Sequence, residues 1–346
     1  MRALASFGKK AGILIVSVAI ILSALPYLIP YEAGGVNYSG NPYSGSGFMD
    51  LDGLSLHYRV FMPLDMVLRG KVLLIHGYLG STYTWRNVQE NLTAYGYMVV
   101  SVDLPSFGYS DRVDGECTMQ GVVDRLWALL REIDGRLRES DDEDEYKGSY
   151  ARWNLTGHDL GAAVAESMAV DDANGVQSLT FVSGDGEGPS EGALSYAMLY
   201  PPAGKWMSIY LRQFVFTEEG IRAFLQTAYR REPTDEEVYA HLFPLRISGT
   251  SDSVLHYLNA PSIAATSGAE RFAKGVAEVA DRVDVYAIWG EEDGAMAERM
   301  PGLAGRYPDV KLYAIPEAGH SPMETHHEEF IRILIAYLRD SYGGAY

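Results

Sequence analysis

Short apolar runs alternate with longer stretches of helical period along most of this chain. Residues 54–61 alternate apolar and polar positions, the period-two pattern of a half-buried strand. Residues 71–75 and 98–102 are continuously apolar, as strands covered on both faces are. Further strands are predicted at 153–156, 178–183, 283–288 and 310–315, and helices at 119–131, 162–170 and 328–339. Strands separated by helices build a mostly parallel central sheet with helices on both faces. Between 184 and 278 the strand rhythm disappears, and amphipathic segments at 218–230 and 234–242 replace it. Residues 187–279 are therefore expected to form an inserted helical cap, dividing the α/β core into 49–186 and 280–346.

The N-terminus follows another rule. Residues 11–31 are uncharged and dense in Ile, Leu and Val, and Arg2, Lys9 and Lys10 precede them. About twenty apolar residues span a bilayer, and the basic flank stays cytoplasmic. Residues 1–33 are thus expected to be a single-pass membrane anchor with the catalytic domain outside the cytoplasm. A cleaved signal peptide and a secreted protein are the alternative; Leu22-Ser23-Ala24, with leucine at the outer position, is a poor cleavage site. Residues 34–48, rich in Gly, Asn, Ser and Tyr without periodicity, read as a flexible linker.

Composition narrows the functions. A formal charge of -18 on 346 residues disfavours nucleic acid as a partner. Cys117 is the only cysteine, which excludes an intrachain disulfide and a thiolate metal cluster. The acidic run 139–145 reads as a solvated loop rather than a metal site. Of the three Asn-x-Ser/Thr triplets, at Asn37, Asn91 and Asn154, the last falls in a predicted buried strand and is not a modification site.

The chemistry is concentrated in four segments. Gly157-His158-Asp159-Leu160-Gly161 lies between a predicted strand and a predicted helix, in the pattern of a nucleophile elbow. Asp159 occupies the nucleophile position, so the first intermediate would be an alkyl ester, formed at an electrophilic sp3 carbon such as that of an epoxide or alkyl halide. His76-Gly77 ends an earlier strand, and the N–H of Tyr78 or Leu79 can pair with that of Leu160 as an oxyanion hole. Glu291, Glu292 and Asp293 follow one late strand, and Gly319-His320 follows the last. Asp293 is the expected partner of His320 and His320 the expected base, with Glu291, Glu292, Asp185 and Glu187 as alternative acids. His158 is expected to be packed within the elbow.

These segments, in this order, resemble the α/β-hydrolase family, and the aspartate resembles its epoxide hydrolase and haloalkane dehalogenase branch. Ser81-Thr82-Tyr83-Thr84-Trp85-Arg86-Asn87 and the segment from Val102 to Asp111 are similar to the same branch. The resemblance implies a catalytic set of Asp159, Asp293 and His320, a small apolar organic substrate, no organic cofactor and no metal; it leaves the oligomeric state open. Two departures count. Leu79 holds the position where epoxide hydrolases carry proline, and Leu160 the position where both branches carry tryptophan. Leucine gives a departing halide no donor, and the sequence does not place Trp85 or Trp206 there. An epoxide oxygen needs an acid, which the resemblance assigns to a cap tyrosine among Tyr196, Tyr200, Tyr210, Tyr229, Tyr239 and Tyr257. Hydrolysis of esters and a non-catalytic binding role are the remaining alternatives.

Overall fold

Eight strands form one sheet in the order β1-β2-β4-β3-β5-β6-β7-β8. In the computed structural model these are β1 Ser46–Leu51, β2 Leu54–Phe61, β3 Gly70–Ile75, β4 Tyr97–Val102, β5 Trp153–His158, β6 Val176–Val182, β7 Asp284–Gly290 and β8 Lys311–Ile315. The structure describes residues 2–30, 35–63, 68–113, 118–140, 152–186, 200–259 and 269–343. The hairpin β1-β2 is antiparallel and β2 pairs antiparallel with β4; from β4 to β8 every pairing is parallel.

Alternation within the central strands explains the two helical layers. In β3, Leu73 and Ile75 face one apolar cluster and Val72 and Leu74 face the other. The first cluster is closed by α3 (Met119–Ser140) and α4 (Leu160–Asp171), the second by α2 (Arg86–Ala94) and the last helix (His327–Asp340). Nearly every side chain of α4 is buried, because it lies across the middle of the sheet directly after the elbow.

After β6 the described residues hold four helices that do not cover the sheet: α5 Pro201–Tyr210, α6 Glu218–Tyr229, α7 Asp235–Leu245 and α8 Thr250–Asn259. Thr217 caps α6, and Thr234 with Glu237 forms a capping box on α7. The next helix, α9 (Ala269–Arg282), lies within the span read as cap but rests on α4, where Gly275 leaves room for Val170. The cap boundary expected at 279 therefore cuts through a core helix.

The linker reading of 34–48 needs correction over its described part. Val36 donates to the Arg246 carbonyl and accepts from Ser248 N–H, both at 3.0 Å, and Tyr38 packs against Tyr109 and Phe243. β1 begins at Ser46, paired with Arg59. Tyrosines in this segment supply the apolar area that docks it, and composition alone hid them.

The N-terminal helix α1 (Arg2–Ala24) with the 3-10 turn Leu25–Tyr27 that follows it carries an 18-residue window, Lys10–Tyr27, of mean hydropathy 1.9 and only 6% buried, long and apolar enough to cross a membrane.

Candidate active site

The elbow forms because its two glycines leave no alternative. A Cβ on Gly157 would overlap the Gly161 carbonyl, and one on Gly161 would overlap the Ile75 carbonyl. With helix and strand this close, Asp159 takes φ 49 and ψ -114, a conformation strained for any residue with a side chain. Gly184 crosses directly beneath, its α-hydrogens toward the Asp159 backbone. The strained residue thus projects its carboxylate past the carboxyl ends of the parallel strands, where open α/β sheets place their sites.

Three loops converge on that carboxylate. After β3, the Tyr78 N–H donates to Asp159 Oδ2 at 2.9 Å. The turn is shaped by buried His76, whose Nε2 accepts from Leu104 N–H at 2.9 Å, so Nδ1 carries the proton and donates to the Gly77 carbonyl at 2.7 Å. Burial holds His76 below its ordinary pKa, which suits this neutral role. Leu79 has φ 58, a left-handed conformation closed to proline, so its departure from the epoxide hydrolase pattern changes the turn itself. Leu160 opens α4, and its N–H is among the first-turn donors without an intrahelical partner.

After β7 and β8 come the acid and the imidazole. His320 Nδ1 bonds both Asp293 oxygens, at 3.0 and 3.1 Å. Burial alone would lower the pKa of His320, but the hydrogen bond and charge of Asp293, with the charge of Asp159, hold it above the ordinary value. Of the alternative acids, Glu291 and Glu292 are exposed, Asp185 is paired with Arg299 at 2.6 Å, and Glu187 lies outside the described residues. His158 is packed in the elbow as expected: its Nε2 donates to the His320 carbonyl at 3.0 Å, and burial, then the neighbouring His320, lower its pKa to about 4.

Four of the cap tyrosines go elsewhere; the described residues place neither Tyr196 nor the Tyr257 side chain. Tyr200, Tyr210 and Tyr239 are exposed, and the Tyr229 hydroxyl donates to Glu324 at 2.8 Å. Tyr196 lies outside the described residues, and Tyr257 sits on α8. A phenol does stand near Asp159, that of Tyr78, which reaches into the cap and donates to the Val254 carbonyl of α8 at 3.1 Å. Burial, then the charge of Asp159, push its pKa up and keep it protonated. Trp206 spends its N–H on the Leu22 carbonyl, at 2.9 Å, and Trp85 packs against Phe330 in the core.

Two polar clusters escaped the sequence. Buried Glu324, four residues past His320, joins cap to core: it accepts from Arg86 and Tyr229 and lies 3.2 Å from His241 Nε2. Burial would raise its pKa, yet His241 and Arg86 hold it at about 2. The other is a buried histidine–aspartate pair, His57 and Asp103, bonded at 2.7 Å, with Ser46 Oγ 2.8 Å from His57 Nε2. The acidic residues 141–145 and Cys117 lie outside the described residues, and among the described ones no group of three His, Cys, Asp or Glu is arranged to hold a metal ion.

A strand-order signature, a strained elbow and a histidine–acid pair on the last two strands define a hydrolase of the α/β class. The chain belongs to the α/β-hydrolase fold family, whose model matches residues 71–327. It is 24% identical over 286 residues to a 2-hydroxy-6-oxononadienedioate/2-hydroxy-6-oxononatrienedioate hydrolase of Cupriavidus pinatubonensis, covering 77% of this chain and 86% of that one. Protein ABHD14A of Rattus norvegicus is 34% identical over 80 residues, 22% of this chain; the match spans only 33% of that relative. Among solved structures, the epoxide hydrolase CorEH superposes with a TM-score of 0.61 at 18% identity, over 85% of this chain and 98% of that one.

Proposed function

We propose that this hydrolase is a membrane-anchored enzyme that opens an epoxide through a covalent ester on Asp159. The observation that carries this reading is a carboxylate, rather than a hydroxyl, on the strained elbow residue, with one oxygen held at 2.9 Å by the Tyr78 N–H. Oδ2 is thereby occupied and Oδ1 is the attacking atom. Oδ1 bonds to the epoxide carbon, the C–O bond breaks, and the oxygen takes a proton from the Tyr78 phenol, which replaces the cap tyrosine in this role. In the second step neutral His320, oriented by Asp293, removes a proton from water as it attacks the ester carbonyl. The charge then develops on Oδ2, which accepts from the Tyr78 N–H; the Leu160 N–H is the second donor in this reading. The intermediate collapses, the diol leaves with Oδ1 and takes the proton held by His320, a water oxygen remains on Asp159, and the second water proton returns to the Tyr78 phenolate. The apolar helix α1 supports the anchor and Arg2, Lys9 and Lys10 the extracytoplasmic placement of the domain.

A second reading, hydrolysis of an ester or another carbonyl substrate, is favoured by the alignment with the Cupriavidus hydrolase over most of the chain. Against it, a carboxylate attacking an ester gives an anhydride, a poor intermediate. His320→Gln, exposed to epoxides and p-nitrophenyl esters, decides the matter by peptide mass spectrometry. An epoxide-derived adduct on Asp159 is the expected result. Ester turnover by the wild type with Asp159 unmodified in the variant would select the second reading. No turnover and no adduct across the panel would leave a binding protein.

A further inference from the structure

The cap helix nearest the anchor carries a face that the catalytic reading does not use. Along α5 and the π-helical turn Leu211–Val215 that continues it, Trp206, Tyr210 and Phe214 follow at four-residue steps. A four-residue step overshoots an α-turn, and the wider π-turn brings it back, so the three rings stay on one side. Tyr210 and Phe214 stack at 5.6 Å and are 52% and 66% exposed. The charges of this segment point the other way: Lys205 pairs with Asp252 of α8 at 2.9 Å, and buried Arg212 donates to the Arg246 carbonyl. An uncharged aromatic stripe open to water is costly unless something covers it.

Its beginning says what covers it. Trp206 Nε1 donates to the Leu22 carbonyl at 2.9 Å, and Tyr200 Oη lies 2.8 Å from Ser23 Oγ, so the stripe starts on the last turn of α1. Just beyond, Leu25, Tyr27 and Leu28 are exposed as well. We infer that the stripe of Trp206, Tyr210 and Phe214 lies in the outer interface of the bilayer that α1 crosses. This rests on the anchor reading. A helix that begins its span at Arg2 reaches Leu22 after about 30 Å, at roughly 1.5 Å per residue, with the Lys10 ammonium snorkelling back to the inner headgroups; this puts Leu22 and Ser23 at the far headgroup level, the depth where Trp and Tyr rings settle. The contact is apolar, because a chain of charge -18 gains nothing from anionic lipid. Helix α8, which holds the Tyr78 phenol, is clamped to the opposite face of α5 through Lys205 and Asp252, so the cover of the site is tied to the membrane surface.

The test uses full-length protein in phosphatidylcholine vesicles, with Cys117→Ser as background and a fluorescent label on one introduced cysteine at a time. Labels at Tyr210→Cys and Phe214→Cys should be quenched by lipids carrying a shallow doxyl group, and a label at Ile15→Cys by a deep one. A label at Tyr95→Cys, exposed just before β4 at the amino ends of the parallel strands, away from the site, should respond only to aqueous iodide. The pattern should persist in high salt. Doxyl quenching at Ile15 with positions 210 and 214 open to iodide would overturn the cap contact and leave the anchor standing. Loss of doxyl quenching at Ile15 too would overturn both.

Discussion

His320 and His57 are both tied through Nδ1 to an aspartate, at 3.0 and 2.7 Å, and the proposed mechanism uses only one of the pairs. His57 is fully buried, and its Nε2 is taken by Ser46; Asp103, equally buried, also accepts from the N–H groups of Thr82 at 2.5 Å and Tyr109 at 2.8 Å. Burial would raise the Asp103 pKa, but His57 and the Tyr109 N–H lower it, so an ionised aspartate anchors a buried clasp across β2, β4 and two loops. His320 keeps 28% of its side chain exposed, accepts no partner at Nε2 among the described residues, and sits in the field of Asp159. Ser46, His57 and Asp103 have the atom order of a serine hydrolase triad without its access. The proposed base thus differs from the clasp in water access and a strained neighbour rather than in residue types.

The sharpest way to break that contrast is Asp159→Asn. The amide is isosteric and a far weaker nucleophile, so turnover should fall by at least ~10^4-fold while the circular dichroism spectrum is unchanged. Retained activity would remove Asp159 from the mechanism. Asp293→Asn should cost about 10^2–10^4-fold, concentrated in hydrolysis of the ester rather than its formation, because the imidazole loses orientation and support for its cation. Rapid-quench kinetics separates the two phases.

The effect of pH is smaller and has a definite sign. His320 works as a base only when neutral, and its pKa is raised above 6.5, so the hydrolysis step should be half-maximal above pH 6.5 and decline as pH falls through that point. A midpoint below 6.5 in single-turnover hydrolysis would contradict the His320–Asp293 geometry. Asp103→Asn should barely change kcat of the folded protein, yet destabilise it by about 3–5 kcal/mol, since one partner of a buried pair is lost. Denaturant titration beside active-site-normalised kcat reads both. A large loss of kcat at unchanged stability would place the clasp in the chemistry.

What could be read in the sequence follows from how strongly each position is constrained. Gly157 and Gly161 have no substitutes at the elbow, and the parallel strands are apolar on both faces, so the fold and Asp159 were legible. β1 was not: it is a mixed, Gly- and Ser-containing strand at the sheet edge, preceded by residues whose composition imitates a tether. Three consecutive acids after β7 read alike, and only the turn that brings Asp293 back toward β8 separates it from Glu291 and Glu292. The resemblance points to a cap tyrosine, while Tyr78, directly after His76-Gly77, offers a second candidate phenol together with the backbone donor from one position. Glu324 carried a faint signal, one helical turn after His320, but its partners Arg86, Tyr229 and His241 come from three distant segments.

A single turnover in heavy-oxygen water, with enzyme in excess over epoxide, tests the central claim most directly. If Asp159 forms the ester and water attacks its carbonyl carbon, the first diol carries an unlabelled carboxylate oxygen and the label appears in the peptide containing Asp159. Labelled diol from the first turnover, with Asp159 unlabelled, would mean direct attack by water and would contradict the covalent account.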